Sequence, residues 1–344
     1  MGSLEERYSR QTVLPELGET GQEKLSNSKV LIVGMGALGI PASLYLAGAG
    51  IGNITLIDLD TIELSNLARQ IIYKTEHIGL KKVDVVAEHL KALNPHIEII
   101  PKNELFDENN AMELVSNNDF IIDGSDNFST KFLINDACFF ANKPFSHAGI
   151  LGLEGQTLTV DFPNSPCYRC IFTEPPNDDN IPNCSEAGIL GPVAGIISSI
   201  QALEAIKSIT GIGELLTGHI LTFNSINMKS RKIAFKKNKK CPICGENPSI
   251  TECKAYGIPV CDIKKSENNL NSYLFTFKNN QSVMKAERFL RSQNVIVEPR
   301  VTPRQLSDEC GICLQIESHN SKEIVTILET QNIEISRFGE FKTF

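Results

Sequence analysis

Along the first half of the chain, apolar runs of four or five residues alternate with stretches in which apolar positions recur every three or four. The run Val30-Leu31-Ile32-Val33 leads into a glycine-rich turn, Gly34-Met35-Gly36-Ala37-Leu38-Gly39. ASLYLAGAG comes next, small and apolar enough for a buried helix. A second run, NITLIDLD, lies within the span of one crossover, which makes the start of the chain a β-α-β unit with a parallel sheet. Beyond it the pattern predicts a helix over 81–93, a strand in HIEIIPKNEL, a helix in ENNAMELVSN, a strand in DFIIDGSDN and a helix over 128–141. LEGQTLTVDF and GHILTFNSI read as later strands, some antiparallel, on either side of the long apolar helix GPVAGIISSIQALEAIKSITG.

The texture changes at about 245–270, where GENPSITECKAYG and DIKKSENNLNS are polar and turn-rich. The expected division is a domain over 1–249, a linker over 250–270 and a small domain over 271–344. The last segment has its own rhythm. SYLFTF is a strand, QSVMKAERFLRSQN a helix, VIVEP a strand, CGICLQI a strand, SKEIVTILETQN a helix and IEISRF a strand. That β-α-β-β-α-β order is ferredoxin-like. The predicted fold class is therefore an α/β, Rossmann-like nucleotide-binding domain followed by a small ferredoxin-like α+β domain.

Composition narrows the function. At 344 residues, 41% hydrophobic and 22% charged, the chain is ordinary for a globular protein with two or three domains. No apolar run reaches the roughly 20 residues of a membrane helix, and MGSLEERYSR is polar where an export signal is apolar. A cytoplasmic location without membrane contact is expected. The net charge of -8 is unevenly spread: residues 1–228 hold 14 Lys+Arg against 28 Asp+Glu, whereas 229–249 hold seven basic residues against one acid. An acidic main body argues against nucleic acid as a partner. The basic run SRKIAFKKNKK is expected to be a solvated strand edge.

The turn Gly34-x-Gly36-x-x-Gly39 offers a tight bend, close backbone approach and helix amides aimed at an anion, which suits NAD, FAD or ATP equally. Asp58, at the end of the second strand, is placed to accept ribose hydroxyls, and Asp60 suits a turn or cap. The residues after this strand discriminate between the cofactors. Ser65, Asn66, Arg69 and Gln70 are polar within six residues, and Lys82 lies further on in IGLKKVD. Cations beside the phosphates have little to do in hydride transfer, where the diphosphate is a spectator. They have work if the α-phosphorus is attacked and charge accumulates on its oxygens and on pyrophosphate. Asp126, at a strand's carboxyl end, is a candidate Mg²⁺ ligand.

RYSRQ, GMGALG, LIDLDTIELSNLARQ, GLKK, DGSDN and CSEAGILGPVAG stand in an order that closely resembles the ThiF/HesA/MoeB adenylyltransferases, relatives of ubiquitin-activating enzymes that activate ubiquitin-like sulfur carriers. The resemblance spans about residues 4–249. It implies ATP, Mg²⁺ and Zn²⁺ as cofactors. It also implies that Asp58 binds ribose, that Asn66, Arg69 and Lys82 contact ATP or its phosphates, and that Asp126 binds Mg²⁺. Arg10 is implied to reach the partner subunit's site in a homodimer. The substrate implied is the C-terminal glycine carboxylate of a small carrier ending in Gly-Gly, with a sulfur donor such as a cysteine desulfurase as a further partner. Because this chain ends GEFKTF, a separate carrier is expected. One departure is Ala37, where many members have a third glycine. A noncatalytic carrier-binding scaffold and an NAD-dependent oxidoreductase are the competing readings.

Ten cysteines punctuate the sequence. Cys167-x-x-Cys170 and Cys241-x-x-Cys244 suit a closed tetrahedral structural zinc site, a reading strengthened by the same pairs in the resembled family; a redox or disulfide role is the alternative. Cys184, in the polar segment IPNCSEAGILGP, is matched in the family by a cysteine that in some members joins the carrier or a sulfur donor. A mobile-loop cysteine is the plainer reading. Cys138, beside two phenylalanines, is expected in the core. The last domain, with Cys310-Gly-Ile-Cys313 after a Pro-Arg loop, resembles a small selenium/sulfur-carrier-like domain of unsettled function. An exposed sulfur-handling Cys310 and simple burial both fit it.

Overall fold

The computed structural model describes residues 4–175, 188–254, 271–277, 280–292, 295, 297–301, 312–318, 321–331, 333 and 335–340. The chain divides into two compact units, Met1–Asp262 and Ile263–Phe344.

The first unit is built on an eight-stranded sheet in the order β3-β2-β1-β4-β5-β6-β7-β8. Strands β1 (Lys29–Val33), β2 (Asn53–Ile57), β3 (Glu98–Lys102), β4 (Phe120–Asp123) and β5 (Phe145–Leu151) pair in parallel. The sheet then continues antiparallel through β6 (Glu154–Val160), β7 (His219–Asn224) and β8 (Lys229–Ala234). Helices α1 (Leu4–Thr12) and α2 (Gly18–Ser26) precede β1. Four crossover helices join the parallel strands: α3 (Gly39–Ala49), α4 (Lys82–Leu93), α5 (Ala111–Ser116) and α6 (Phe128–Ala141). The long helix α7 (Gly191–Thr210) comes between β6 and β7.

Helices cover both faces of the parallel half, so its strands are apolar on every residue rather than on alternate ones. Along β1, Val30 and Ile32 join a core with Leu46, Leu56, Val86, Leu90 and Ala202. Leu31 and Val33 join a second core with Ile121, Phe132, Phe145 and Tyr168. Strand order runs outward from β1 to β3 and then returns to β4, so the carboxyl ends of β1 and β4 flank a topological switch point, where open α/β sheets hold ligands.

Every strand and helix predicted over the described part of this unit is present. The pattern missed α1, α2 and β5. LEERYSRQT and GETGQEKLS are short and polar, and Phe145–Leu151 is interrupted by Ser146, His147 and Gly149. KSRKIA lacks alternation because β8 is a terminal edge strand exposed at every residue. This is the solvated basic edge expected from its charge, with lysines that discourage edge pairing.

The second unit contains β9 (Asn271–Phe277), α8 (Asn280–Ser292), β10 (Val297–Val301), β11 (Ile312–Ser318), α9 (Ser321–Glu329) and β12 (Ile335–Glu340). Its antiparallel sheet has the order β10-β11-β9-β12, the ferredoxin-like arrangement. Phe275, Leu314 and Ile316 pack with Val283, Leu290, Ile324 and Leu328 from the two helices. Cys313 is buried against Leu274, so it is not a surface thiol; Cys310 lies outside the described residues. Among those residues no helix of the chain is long and apolar enough to cross a membrane.

Candidate functional site

The three glycines of the first turn have different jobs. A Cβ on Gly39 would stand 1.8 Å from the Gly34 carbonyl oxygen, and one on Gly34 would stand 2.7 Å from that of Gly124, just after β4. Gly34 also has a φ of 93°, a left-handed conformation that disfavours side chains. Gly39 thus lets the turn close on itself, and Gly34 lets the turns after β1 and β4 touch. Gly36 is the exception. Among the described residues, the only atom near a Cβ placed there is Gln70 Nε2, at 3.8 Å. The backbone at Gly36 therefore faces free space, which is where a phosphate would approach. Ala37 is half-buried beside it.

Side chains from the stretch after β2 line this opening. Asp58 accepts a hydrogen bond from Met35 N–H at 2.6 Å and another from Asp60 N–H at 2.8 Å, which fixes the turn to the end of β2. Burial pushes its carboxyl above the ordinary carboxylate range, against the pull of Lys82. Tyr73 adds a second brace through its hydroxyl, 2.9 Å from the Met35 carbonyl. Gln70 is 4% exposed and its Oε1 has no hydrogen-bond partner among the described residues. An orphaned acceptor of this kind costs about 1–3 kcal/mol.

Lys82 is the first residue of α4 and is buried, with Nζ 2.7 Å from Asp60 Oδ2. Burial works against its charge, but Asp58, Asp60 and Asp126 raise its pKa above the usual lysine value. Asn66 ends a single 3-10 turn, Leu64–Asn66; its Oδ1 accepts from Glu63 N–H at 3.1 Å. Arg69 donates to the Ser65 carbonyl at 3.0 Å, and the start of α7 lies against its backbone: a Cβ on Gly191 would stand 3.2 Å from Arg69 Cα, a tight contact. Asp126 is exposed and close enough to Lys82 for its charge to be felt there. The fold thus gathers Gly34, Gly36, Gly39, Asp58, Gln70, Lys82 and Asp126 around the switch point. Arg10 lies exposed on α1 and bonds to none of these residues. Cys184 lies outside the described residues.

Behind the switch point is a buried polar group that pattern reading missed. Asp123 ends β4 with no exposure. It accepts from Ser125 Oγ at 2.6 Å, from His147 Nδ1 at 2.6 Å and from Lys131 Nζ at 3.3 Å. Burial opposes its charge, but Lys131, His147 and Ser125 hold its pKa down to about 2. Burial, with Lys131 nearby, keeps His147 below its usual pKa despite the opposite pull of Asp123. The one available sign was a lone acid or lysine in an apolar run, as in FIID and FSTKFLIN.

Cys167, Cys170, Cys241 and Cys244 come together with all four sulfurs within 4.8 Å of one another. Neighbouring Sγ pairs are 3.3 to 3.8 Å apart. That is too far for a disulfide and close to the ~3.8 Å edge of a tetrahedron with Zn–S bonds of about 2.3 Å. The donor set therefore fits zinc. Arg169, inside the first pair, is 1% exposed and makes a bidentate ion pair with Asp136 of α6 at 2.7 and 2.9 Å. Its guanidinium also lies 4.5 Å over the Phe132 ring. Asn135 accepts from Tyr168 N–H at 3.0 Å, so α6 holds the metal loop by two adjacent residues. Cys138 is fully buried, as expected.

An opening walled by backbone at a switch point, with a buried cation at its side, is how doubly wound sheets hold the phosphates of a nucleotide. The first unit is a nucleotide-binding domain of the Rossmann-like class, with a four-cysteine centre at its antiparallel side. Residues 8–243 match the ThiF family model, and the chain belongs to the ThiF family. Residues 272–340 match a family model described as Se/S carrier protein-like.

Among curated proteins the chain is similar to the sulfur carrier protein adenylyltransferase of Thermus thermophilus, 38% identical over 256 residues that cover 73% of this chain and 94% of that protein. It is also similar to the adenylyltransferase and sulfurtransferase MOCS3 of Drosophila sechellia, 40% identical over 298 residues, 86% of this chain and 66% of that one. The chain spans about two thirds or less of the first MOCS3 relatives it matches. Among solved structures it is similar to E. coli MccB with ATP, with a TM-score of 0.61 and 26% identity, covering 70% of this chain and 74% of that chain.

Proposed function

We propose that this chain adenylylates the C-terminal glycine carboxylate of a separate small ubiquitin-like sulfur carrier, using ATP and releasing pyrophosphate. The observation that carries this reading is the open backbone at Gly36, faced by Gln70 Nε2, with Lys82 held charged by Asp58 and Asp60, the first of which anchors the same turn. It is supported by the similarity to a sulfur carrier protein adenylyltransferase along 94% of that protein's length.

In this reading the amides of the glycine turn cradle the phosphates, Asp58 accepts from the ribose, and Asn66, Arg69 and Lys82 contact ATP or its phosphates. Asp126 is an exposed carboxylate, and a hard oxygen donor of this kind fits Mg²⁺. When bound, that ion supplies countercharge for the phosphate oxygens. The carrier carboxylate attacks the α-phosphorus; a new carboxyl O–P bond forms, the α–β bridging O–P bond breaks, and its electron pair leaves with pyrophosphate. No general base is needed, because a terminal carboxylate is already ionised near neutral pH. Lys82, held charged by its acidic neighbours, and Arg69 stabilise the charge that develops.

The wider reading assigns Arg10 to the partner subunit's site in a homodimer, and Cys184 to sulfur transfer from a donor such as a cysteine desulfurase. It places the protein in the cytoplasm. The test is carrier-dependent exchange of labelled pyrophosphate into ATP by the full chain. Exchange is expected with an intact Gly-Gly carrier, and loss with a carrier lacking those glycines or with Asp126→Ala. A folded wild-type protein giving no exchange with any intact carrier encoded beside its gene would overturn the activity.

A further inference from the structure

The loop that carries Asp126 is anchored from behind by groups to which the adenylylation chemistry gives no part. Asp123 receives Ser125 N–H at 3.0 Å and Ser125 Oγ at 2.6 Å, His147 Nδ1 at 2.6 Å, and Lys131 Nζ at 3.3 and 3.4 Å. Lys131 also donates to the carbonyls of Ser125 at 2.7 Å and Ala148 at 2.8 Å. On the other side of Asp126, Asn127 caps α6 by accepting from Thr130 N–H at 2.8 Å. Asp126 is itself exposed, so its place is set by the backbone pinned on both sides. His147 extends the chain of contacts: its ring is 4.5 Å from that of Tyr168, which sits between Cys167 and Cys170. A continuous path of buried contacts therefore joins the four-cysteine centre to the loop of Asp126.

We infer that Asp123 and His147 are positioning residues, which hold the Asp126 loop in the register a nucleotide-bound divalent cation requires and brace it, through Tyr168, against the four-cysteine centre. This rests on the proposed Mg²⁺ role of Asp126. A short loop with an exposed acid has many conformations of similar energy, and a metal that needs near-ideal octahedral geometry selects few of them. Fixing the residue before Asp126 by a buried carboxylate and a buried ammonium removes that choice before the metal arrives. Groups that orient a metal-binding carboxylate from behind typically govern metal affinity by about 10–100-fold.

The test is the factor by which Mg²⁺ tightens ATP binding, measured by calorimetry with and without the ion, on the full-length protein. In His147→Leu and Ser125→Ala that factor is expected to fall about tenfold, with metal-free ATP affinity within about twofold of wild type. His147→Asn should retain most of the factor, because an Asn Nδ2 occupies the place of His Nδ1 and still donates to Asp123. Zinc content should stay unchanged in all three. Should His147→Leu fail to fold, Ser125→Ala removes only a hydroxyl and carries the test. An unchanged Mg²⁺ factor in the variants, its absence in wild type, or an equal loss of metal-free ATP affinity would each overturn the inference. Because the readout is binding, a wild-type protein without pyrophosphate exchange would sink the activity and leave this result standing.

Discussion

Alanine at two glycines of the same turn should have opposite consequences. In Gly39→Ala the new methyl carbon would lie 1.8 Å from the Gly34 carbonyl oxygen and 3.0 Å from its carbon. Neither atom is the end of a flexible side chain, so the turn must open. Overpacking of this kind costs typically 1–3 kcal/mol, and rigid backbone on both sides puts this case at the top, about 3 kcal/mol. For a domain of this size that lowers the melting temperature by about 6–12 °C. In Gly36→Ala the nearest atom is Gln70 Nε2 at 3.8 Å, an ordinary contact, and the backbone is not left-handed. Stability should then hold or rise by about 0.4–1 kcal/mol, because alanine restricts the unfolded chain. The methyl group nevertheless fills the approach to the backbone, and ATP affinity should fall by about tenfold, or about 1.4 kcal/mol. Calorimetric melting and ATP titration of both variants separate these effects. Wild-type melting of Gly39→Ala would refute the packing argument, and wild-type ATP affinity in Gly36→Ala would refute the location of the phosphates.

Three further outcomes are expected. Arg169→Leu strands the carboxylate of buried Asp136 and should cost about 3–5 kcal/mol in urea unfolding; a loss below about 1 kcal/mol would mean the pair is not closed in solution. Elemental analysis of the reduced, full-length protein should find one zinc per chain, and Cys241→Ser should lower that occupancy; a metal-free wild type that still melts cooperatively would count against the site. Ser125→Ala should destabilise by about 1 kcal/mol at about pH 6. Because the bond helps hold Asp123 at about 2, below its ordinary 3.8, its contribution is complete above the unfolded value and is lost as pH falls through the folded one. The gap between Ser125→Ala and wild type in urea should therefore close between about pH 4 and pH 2, and a constant gap would contradict the assignment.

The parts of this protein that were legible in its sequence are those with a short-range signature. Strands buried on both faces read as uninterrupted apolar runs, as in β1 and β4, and the glycine spacing located the nucleotide turn. The cysteine pairs located the metal centre although 70 residues separate them, because each half keeps its own C-x-x-C spacing. The edge strand β8 was legible only from its charge, as a solvated strand edge, since it buries no face and so imposes no period on its residues. The buried polar group was invisible for a different reason. Asp123, Lys131 and His147 stand on β4, α6 and β5, and only the parallel pairing of β4 with β5 and the return of α6 bring them together. A lone charge in an apolar run says that a partner exists, but its partner is fixed by topology. Gln70 was noted as polar, yet that its Nε2 faces Gly36 while its oxygen has no partner among the described residues depends on the fold of the whole loop.

Helix α6 explains why one domain contains both a nucleotide turn and a four-cysteine centre. Asn127, Lys131 and Asn135 recur at four-residue spacing, so they lie along one side of the helix. Asn127 caps its start, Lys131 pins the carbonyl of Ser125, and Asn135 with Asp136 holds Tyr168 and Arg169 of the metal loop. At about 1.5 Å per residue these anchor points span about 12 Å. The helix is therefore a spacer with one end at the loop of Asp126 and the other at the cysteines. A metal that closes the tetrahedron ties the strand-connecting loop of Cys167 to the distant segment of Cys241, and so fixes the far end of that spacer. The distance and rotation between the two loops are set by one helix whose polar residues face the groups they hold.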